Sequence, residues 1–204
     1  MTRVVLASRN AHKIEEMSRI LDGAGLHVEV LGLDAFGEVP DVPETEPTFG
    51  GNALLKARAV CLATGHPAVS DDSGLCVDAL NGMPGVLSAR WSGGGGDVAN
   101  LELVLAQLAD TPDDRLGAQF RCAVALVLPD GREAVVDGEM RGHLVRAPRG
   151  TNGFGYDPIF VPDGETRTSA ELTSAEKDAI SHRGNALRAL VPVLRQLLPE
   201  PAAG

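Results

Sequence analysis

Four short stretches of the chain combine side chains able to bind or cleave a phosphate-bearing ligand. In the first, Ser8-Arg9-Asn10-Ala11-His12-Lys13, an apolar run ends and a helical pattern begins. The unpaired N–H groups and positive dipole of a helix start attract phosphate there. Arg9 and Lys13 add cationic charge and Ser8 a hydroxyl, without the glycines or the Lys-Ser/Thr ending of a P-loop. An ordinary helix cap by Ser8 or Asn10 would use the same residues. The second stretch is Ser70-Asp71-Asp72-Ser73-Gly74, with Glu44 upstream as a partner. Its hard carboxylates suit Mg²⁺, which takes oxygen ligands and bridges protein to polyphosphate; the alternative is a plain polar turn. The third, Gly150-Thr151-Asn152-Gly153-Phe154-Gly155-Tyr156-Asp157-Pro158, sets two aromatics among glycines, as a base-stacking loop would, or as a turn whose rings plug the core. The fourth pairs Lys177 with Ser181-His182-Arg183, about one and a half helical turns further on. Its donors would accept a carbonyl-bearing base and disfavour an amino group; a solvated helix junction is the plainer account.

The elements that must position these groups follow from the apolar spacing. Residues 3–7 read as a buried strand and Ile14, Met17, Ile20 and Leu21 as one helix face, with a second strand over 27–31. This β-α-β opening predicts an α/β fold. Residues 37–47, with three prolines and four acidic residues, read as an exposed loop, and Ala53, Leu54, Ala57, Val60 and Cys61 as a second helix. The spacing over 67–80 predicts two short strands separated by the polar turn 70–74. The run Gly93–Gly96 reads as a flexible linker inside the domain, followed by a helix through Leu101, Leu105 and Leu108. Residues 118–128 and 132–139 flank Pro129-Asp130-Gly131 as an antiparallel hairpin. The last helix carries Leu187, Leu190, Val191, Leu194 and Leu197, with Pro192 as an expected kink.

Composition narrows the function classes. At 204 residues one domain over 1–204 is the default, and with only seven aromatics its core must be mostly Leu, Val and Ala. A formal net charge of −10 and the shortage of aromatic platforms argue against nucleic acid as a partner. The three scattered cysteines, Cys61, Cys76 and Cys122, read as free thiols, and neither a signal peptide nor a membrane span is visible, so a cytoplasmic protein is expected.

In their order and separation these stretches resemble the inosine triphosphate pyrophosphatase family. The likeness rests on Ser8-x-Asn10-x-x-Lys13, on Glu44-Thr45 through Thr48-Phe49 to Asn52-Ala53 and Lys56-Ala57, and on Ser70-Asp71-Asp72-Ser73-Gly74-Leu75. It continues through Gly82-x-Pro84-Gly85, Ser88-Ala89-Arg90, Gly153 to Pro158, Ala170-Glu171-Leu172, Lys177 and Ser181-His182-Arg183-Gly184. The resemblance implies an elongated mixed β-sheet flanked by helices, two lobes around a central cleft, and a homodimer. It also implies Mg²⁺-dependent hydrolysis of inosine, deoxyinosine and xanthosine triphosphates to the monophosphate and pyrophosphate, which keeps deaminated bases out of DNA and RNA. Carried onto this chain, residues 8–13 and Lys56 would hold the triphosphate, Glu44 and Asp72 the metal, and Ser73 the substrate. Asp72 would be the general base, Phe154 would stack on the purine, and Gly155, Tyr156, Asp157, Lys177, His182 and Arg183 would frame it. The family usually has Gly and Glu where this chain has Glu46 and Gly51, and a more acidic segment in place of Gly93–Gly96. Two rivals are a pyrophosphatase for modified pyrimidine triphosphates and a sensor that binds a nucleotide without cleaving it.

Overall fold

The structure, a computed structural model, describes residues 2–39 and 41–198. Its strands are β1 (Arg3–Leu6), β2 (Glu29–Leu31), β3 (Ala68–Val77), β4 (Gly117–Val127), β5 (Glu133–Leu144) and β6 (Phe160–Pro162). They form a six-stranded sheet in the order β2-β1-β3-β4-β5-β6. β1 runs parallel to β2 and β3, whereas β6 is antiparallel to β5, so the sheet is mixed. The helices are α1 (Ala11–Gly23), α2 (Phe49–Thr64), α3 (Gly96–Gln107), α4 (Ser174–Ile180) and α5 (His182–Leu197).

The described chain divides into two compact units. The first is built from the chain up to Asp72, Ala123–Gly138 and the chain from Arg183; the second from Ser73–Cys122 and Glu139–His182. The first unit buries Val5, Ala53, Ala57, Val60, Ala125 and Val127 together, a small-residue core that lets α2 lie close to its strands. The second packs Leu75, Val77, Leu101, Val104 and Leu108 against Phe120 and Phe160, whose rings meet edge to face at 4.8 Å.

Most of the expected elements form, and the differences have physical causes. Residues 70–74 are no turn: β3 passes straight through them, ten residues long, because alternation disposes of each polar side chain in turn. Ser70, Asp72 and Gly74 are buried on one side of this strand, while Asp71 and Ser73 lie on the other. The Gly93–Gly96 run is a tight turn where a flexible linker was expected. Gly93, Gly94 and Gly96 hold φ of 75°, 106° and 82°, a left-handed conformation that side chains resist. Its flanks are tied, since Ser92 N–H donates to Asn100 Oδ1 at 2.7 Å and the Asn100 amide donates to Ala89 O. The fourth stretch does not lie on one helix. Ser181, extended at ψ 148°, separates α4 from α5, so Lys177 and His182 sit on different helices. α5 continues through Pro192.

Candidate active site

In the first unit Asn10 caps α1, its side chain accepting the His12 N–H at 3.0 Å, while Ser8 Oγ accepts the Asn10 N–H at 3.1 Å. The capping account of this stretch is therefore correct for Asn10, and it leaves Ala11 and His12 exposed at the helix start. Arg9 turns to the acidic loop, donating to Val39 O at 3.2 Å and standing 3.5 Å from Asp41. Lys13 reaches across to β3, where its Nζ lies 3.0 Å from both oxygens of Asp71.

The alternation of β3 decides what the paired aspartates do. Asp71 takes Lys13 on its side and also accepts from Arg183 Nε and Nη2 at 3.1 and 3.0 Å. Burial alone would raise its pKa, but the charges of Arg183 and Lys13 outweigh that and hold the carboxyl well below the usual carboxylate range. Asp72 faces α2. Its Oδ2 accepts from the amide of Asn52 at 3.0 Å, and its Oδ1 lies 3.8 Å from Lys56 Nζ. The same ammonium donates to Glu44 Oε1 at 2.8 Å, so Glu44 and Asp72 converge on one cation. Among the described residues no cluster of three or more His, Cys, Asp and Glu side chains is placed to hold a metal. Two converging carboxylates nevertheless fit Mg²⁺, which commonly takes one or two protein carboxylates and completes its shell with water and phosphate oxygens.

Asn52 is a residue that motif spacing noted but gave no task. It is fully buried, its oxygen accepts the Glu46 N–H at 2.9 Å, and its amide holds Asp72. It thereby ties the loop carrying Glu44 to the strand carrying Asp72. The signal available in the sequence was a polar residue inside an apolar helix pattern. The two departures near it pack against each other, for a Cβ on residue 51 would come within 2.6 Å of Glu46 Cβ. Glu46 thus fits here because residue 51 is glycine.

The second unit contains a cavity of about 120 Å³ whose lining includes Ser73, Ser88, Phe154, Tyr156, Lys177 and His182. Asp157, nearly fully buried, accepts the Phe154 N–H at 2.9 Å and the Lys177 ammonium on the same oxygen. Lys177 Nζ also sits 5.3 Å from the centre of the Phe154 ring, a cation–π contact. The two aromatics of the glycine loop part company. Tyr156 is buried and donates to Ser88 O at 2.8 Å, whereas Phe154 is 68% exposed. His182 stacks on Phe120 with ring centres 5.0 Å apart. Arg183 is absent from this lining and belongs with Lys13 and Asp71 in the first unit. Gly74 is required beside the cavity, since a Cβ there would stand 2.4 Å from Ser88 Oγ and 2.5 Å from Gly85 O.

A dITP/XTP pyrophosphatase of Streptomyces coelicolor is 63% identical over 199 residues, covering 97% of this chain and all of the relative. One of Nocardia farcinica is 60% identical, with 97% of each chain covered. Among solved structures, a nucleoside-triphosphatase, dITP/XTP pyrophosphatase of Mycobacterium abscessus is 57% identical, covers 95% of this chain and 100% of its own, and superposes with a TM-score of 0.80. A HAM1 protein from Coxiella burnetii, 43% identical over 96% of this chain and 100% of its own, reaches 0.88. The family model matched over residues 4–193 is that of the Ham1 family, and it is to this family that the chain belongs.

Proposed function

We propose that this protein hydrolyses non-canonical purine nucleoside triphosphates, those carrying hypoxanthine or xanthine, to the monophosphate and pyrophosphate. The observation that carries the proposal is the convergence of Glu44 and Asp72 on Lys56, with Asp72 held by the buried amide of Asn52. The relatives' activity supports the substrate class.

Lys13, Lys56 and the start of α1 bind the triphosphate, where ammonium groups and helix N–H donors offset its charge. Glu44 and Asp72 would hold Mg²⁺, which when bound would supply positive charge against the triphosphate and its pyrophosphate leaving group. Asp72 is the general base for the attacking water, its Oδ2 fixed by Asn52 so that the carboxylate keeps one orientation. Ser73, the next residue of β3, binds substrate. Phe154 stacks on the purine, and Gly155, Tyr156 and Asp157 shape its surroundings. Lys177 and His182 are donors toward the 6-oxo group, whereas Arg183, held on Asp71, is not counted among them. An amino group at position 6 would face donors with a donor, and one lost buried hydrogen bond costs about 1–3 kcal/mol. We further infer one functional domain over residues 1–204, acting as a homodimer in the cytoplasm. No described helix is long and apolar enough to cross a membrane, and the three cysteines are buried free thiols, as a reducing compartment permits.

The test is incubation of the purified protein with deoxyinosine triphosphate and Mg²⁺ beside an Asp72→Asn variant, with the phosphorus products identified. Deoxyinosine monophosphate plus pyrophosphate, lost in the variant, is the expected result. Diphosphate plus orthophosphate, or preferred turnover of a modified pyrimidine triphosphate in a substrate panel, would overturn the proposal. Tight binding without turnover would make the protein a sensor.

A further inference from the structure

The glycine run and the helix after it have no part in the reaction as described, yet they deliver a carboxylate to the base pocket. Asp97 lies in the first turn of α3, directly after Gly96, and accepts the Gly155 N–H through Oδ2 at 2.8 Å. Phe154 and Gly155 thus have two consecutive backbone N–H groups held by two carboxylates. Asp157 holds the first from within the same turn, three residues on, and Asp97 holds the second from 58 residues away. The local bond shapes the turn; the distant one fixes the Gly155 backbone against α3, while the Tyr156 hydroxyl ties the next residue to Ser88 O. Asp97 also lines the cavity itself, together with Phe154 and Tyr156. Its own position is set by the left-handed glycines before it and by buried Asn100, which ties Ser92 and Ala89.

We infer that Asp97 is a positioning residue for base recognition: by accepting the Gly155 N–H it holds the Phe154–Gly155 segment at the start of α3 and so sets where the exposed Phe154 ring presents its face. This deepens the proposed function and rests on it. The same carboxylate has a second effect on the pocket. Burial, and after it the nearby charge of Asp97, push the Tyr156 phenol up from its ordinary value, which keeps the proton that Tyr156 donates to Ser88 O. An acidic residue in the first turn of a helix also interacts favourably with the helix dipole, and that alternative predicts a stability effect with no preference for the base half of the ligand.

The experiment compares wild type, Asp97→Ala and Asp97→Asn in the full chain with Mg²⁺. It measures KM for deoxyinosine triphosphate, inhibition constants for deoxyinosine monophosphate and for pyrophosphate, and the thermal midpoint. Asp97→Ala is expected to raise KM and the monophosphate inhibition constant about tenfold, the size of one charge-assisted hydrogen bond, and to leave the pyrophosphate constant within about twofold. Asp97→Asn, whose amide oxygen still accepts from Gly155, is expected to recover most of the loss. Equal weakening of monophosphate and pyrophosphate, a lowered thermal midpoint with the monophosphate constant unchanged, or an Asn variant as weak as Ala would overturn the inference. Wild-type protein that neither cleaves the triphosphate nor binds the monophosphate would overturn the functional reading and this inference with it, whereas active wild type with an unaltered Asp97→Ala variant would remove Asp97 alone.

Discussion

Two aspartates adjacent on a strand point to opposite faces, and Asp71 and Asp72 divide the work accordingly. Asp71 is the counter-charge of Lys13 and Arg183, with a side chain only 9% exposed. Its replacement by Asn leaves two cations without their shared carboxylate, and removing one partner of a buried pair costs about 3–5 kcal/mol. Urea denaturation at neutral pH is expected to show a loss of that size for Asp71→Asn. The pH dependence has a definite sign. Because the folded pKa is depressed, the contribution is complete above the unfolded value of about 3.9 and fades as the pH falls below it, so the two proteins converge in acid. A gap that persists unchanged in acid would contradict the ion pair as its source. At this scale residue chemistry offered Glu44 as a partner for the aspartates, and the structure brings Glu44 and Asp72 to one ammonium, that of Lys56, which only the family resemblance had named. The sequence was not legible for Asn52, Asp97 or the anchoring of Arg183, because each acts through a partner that only the fold brings near.

The elements show the same division. The apolar spacing of 53–61 and 187–197 predicted α2 and α5, since helices that bury one face carry a 3.6-residue period. Spacing failed at β3, where the polar run 70–74 looks like a turn until the strand has neighbours on both sides to satisfy it. It failed also at α4, which is seven residues long, buries no residue and therefore shows no apolar stripe. What makes α4 a helix is its cap: the Thr173 side chain accepts from the Glu176 N–H while Glu176 accepts from the Thr173 N–H. α4 carries Lys177, so the cap matters beyond its own turn. Thr173→Ala is expected to weaken the helix by about 1 kcal/mol, read as roughly fivefold faster amide exchange over residues 174–180. Unchanged exchange there would show that Asp157, through Lys177, and not the cap, holds the segment.

The boundaries between the two units fall inside strands, after Asp72 in β3, after Cys122 in β4 and after Gly138 in β5. Composition and spacing along one chain carry no sign of this, because strand pairing depends on residues far apart in sequence. The three free thiols sample both units: Cys61 lies in the first, Cys76 and Cys122 in the second. All three are buried, and burial raises the pKa of Cys61 and Cys76, so a thiol reagent is expected to label none of them in the native protein. With three strands supplying residues to both units, the thiols should become reactive over one common range of denaturant; labelling of Cys61 well before the others would show independent unfolding. The lone tyrosine, buried on Ser88, and the lone tryptophan, Trp91, whose indole donates to Gln107, both belong to the second unit. Intrinsic fluorescence therefore watches only the second unit, and the first is optically dark; under the proposed roles, a nucleoside would change that signal and pyrophosphate would leave it untouched.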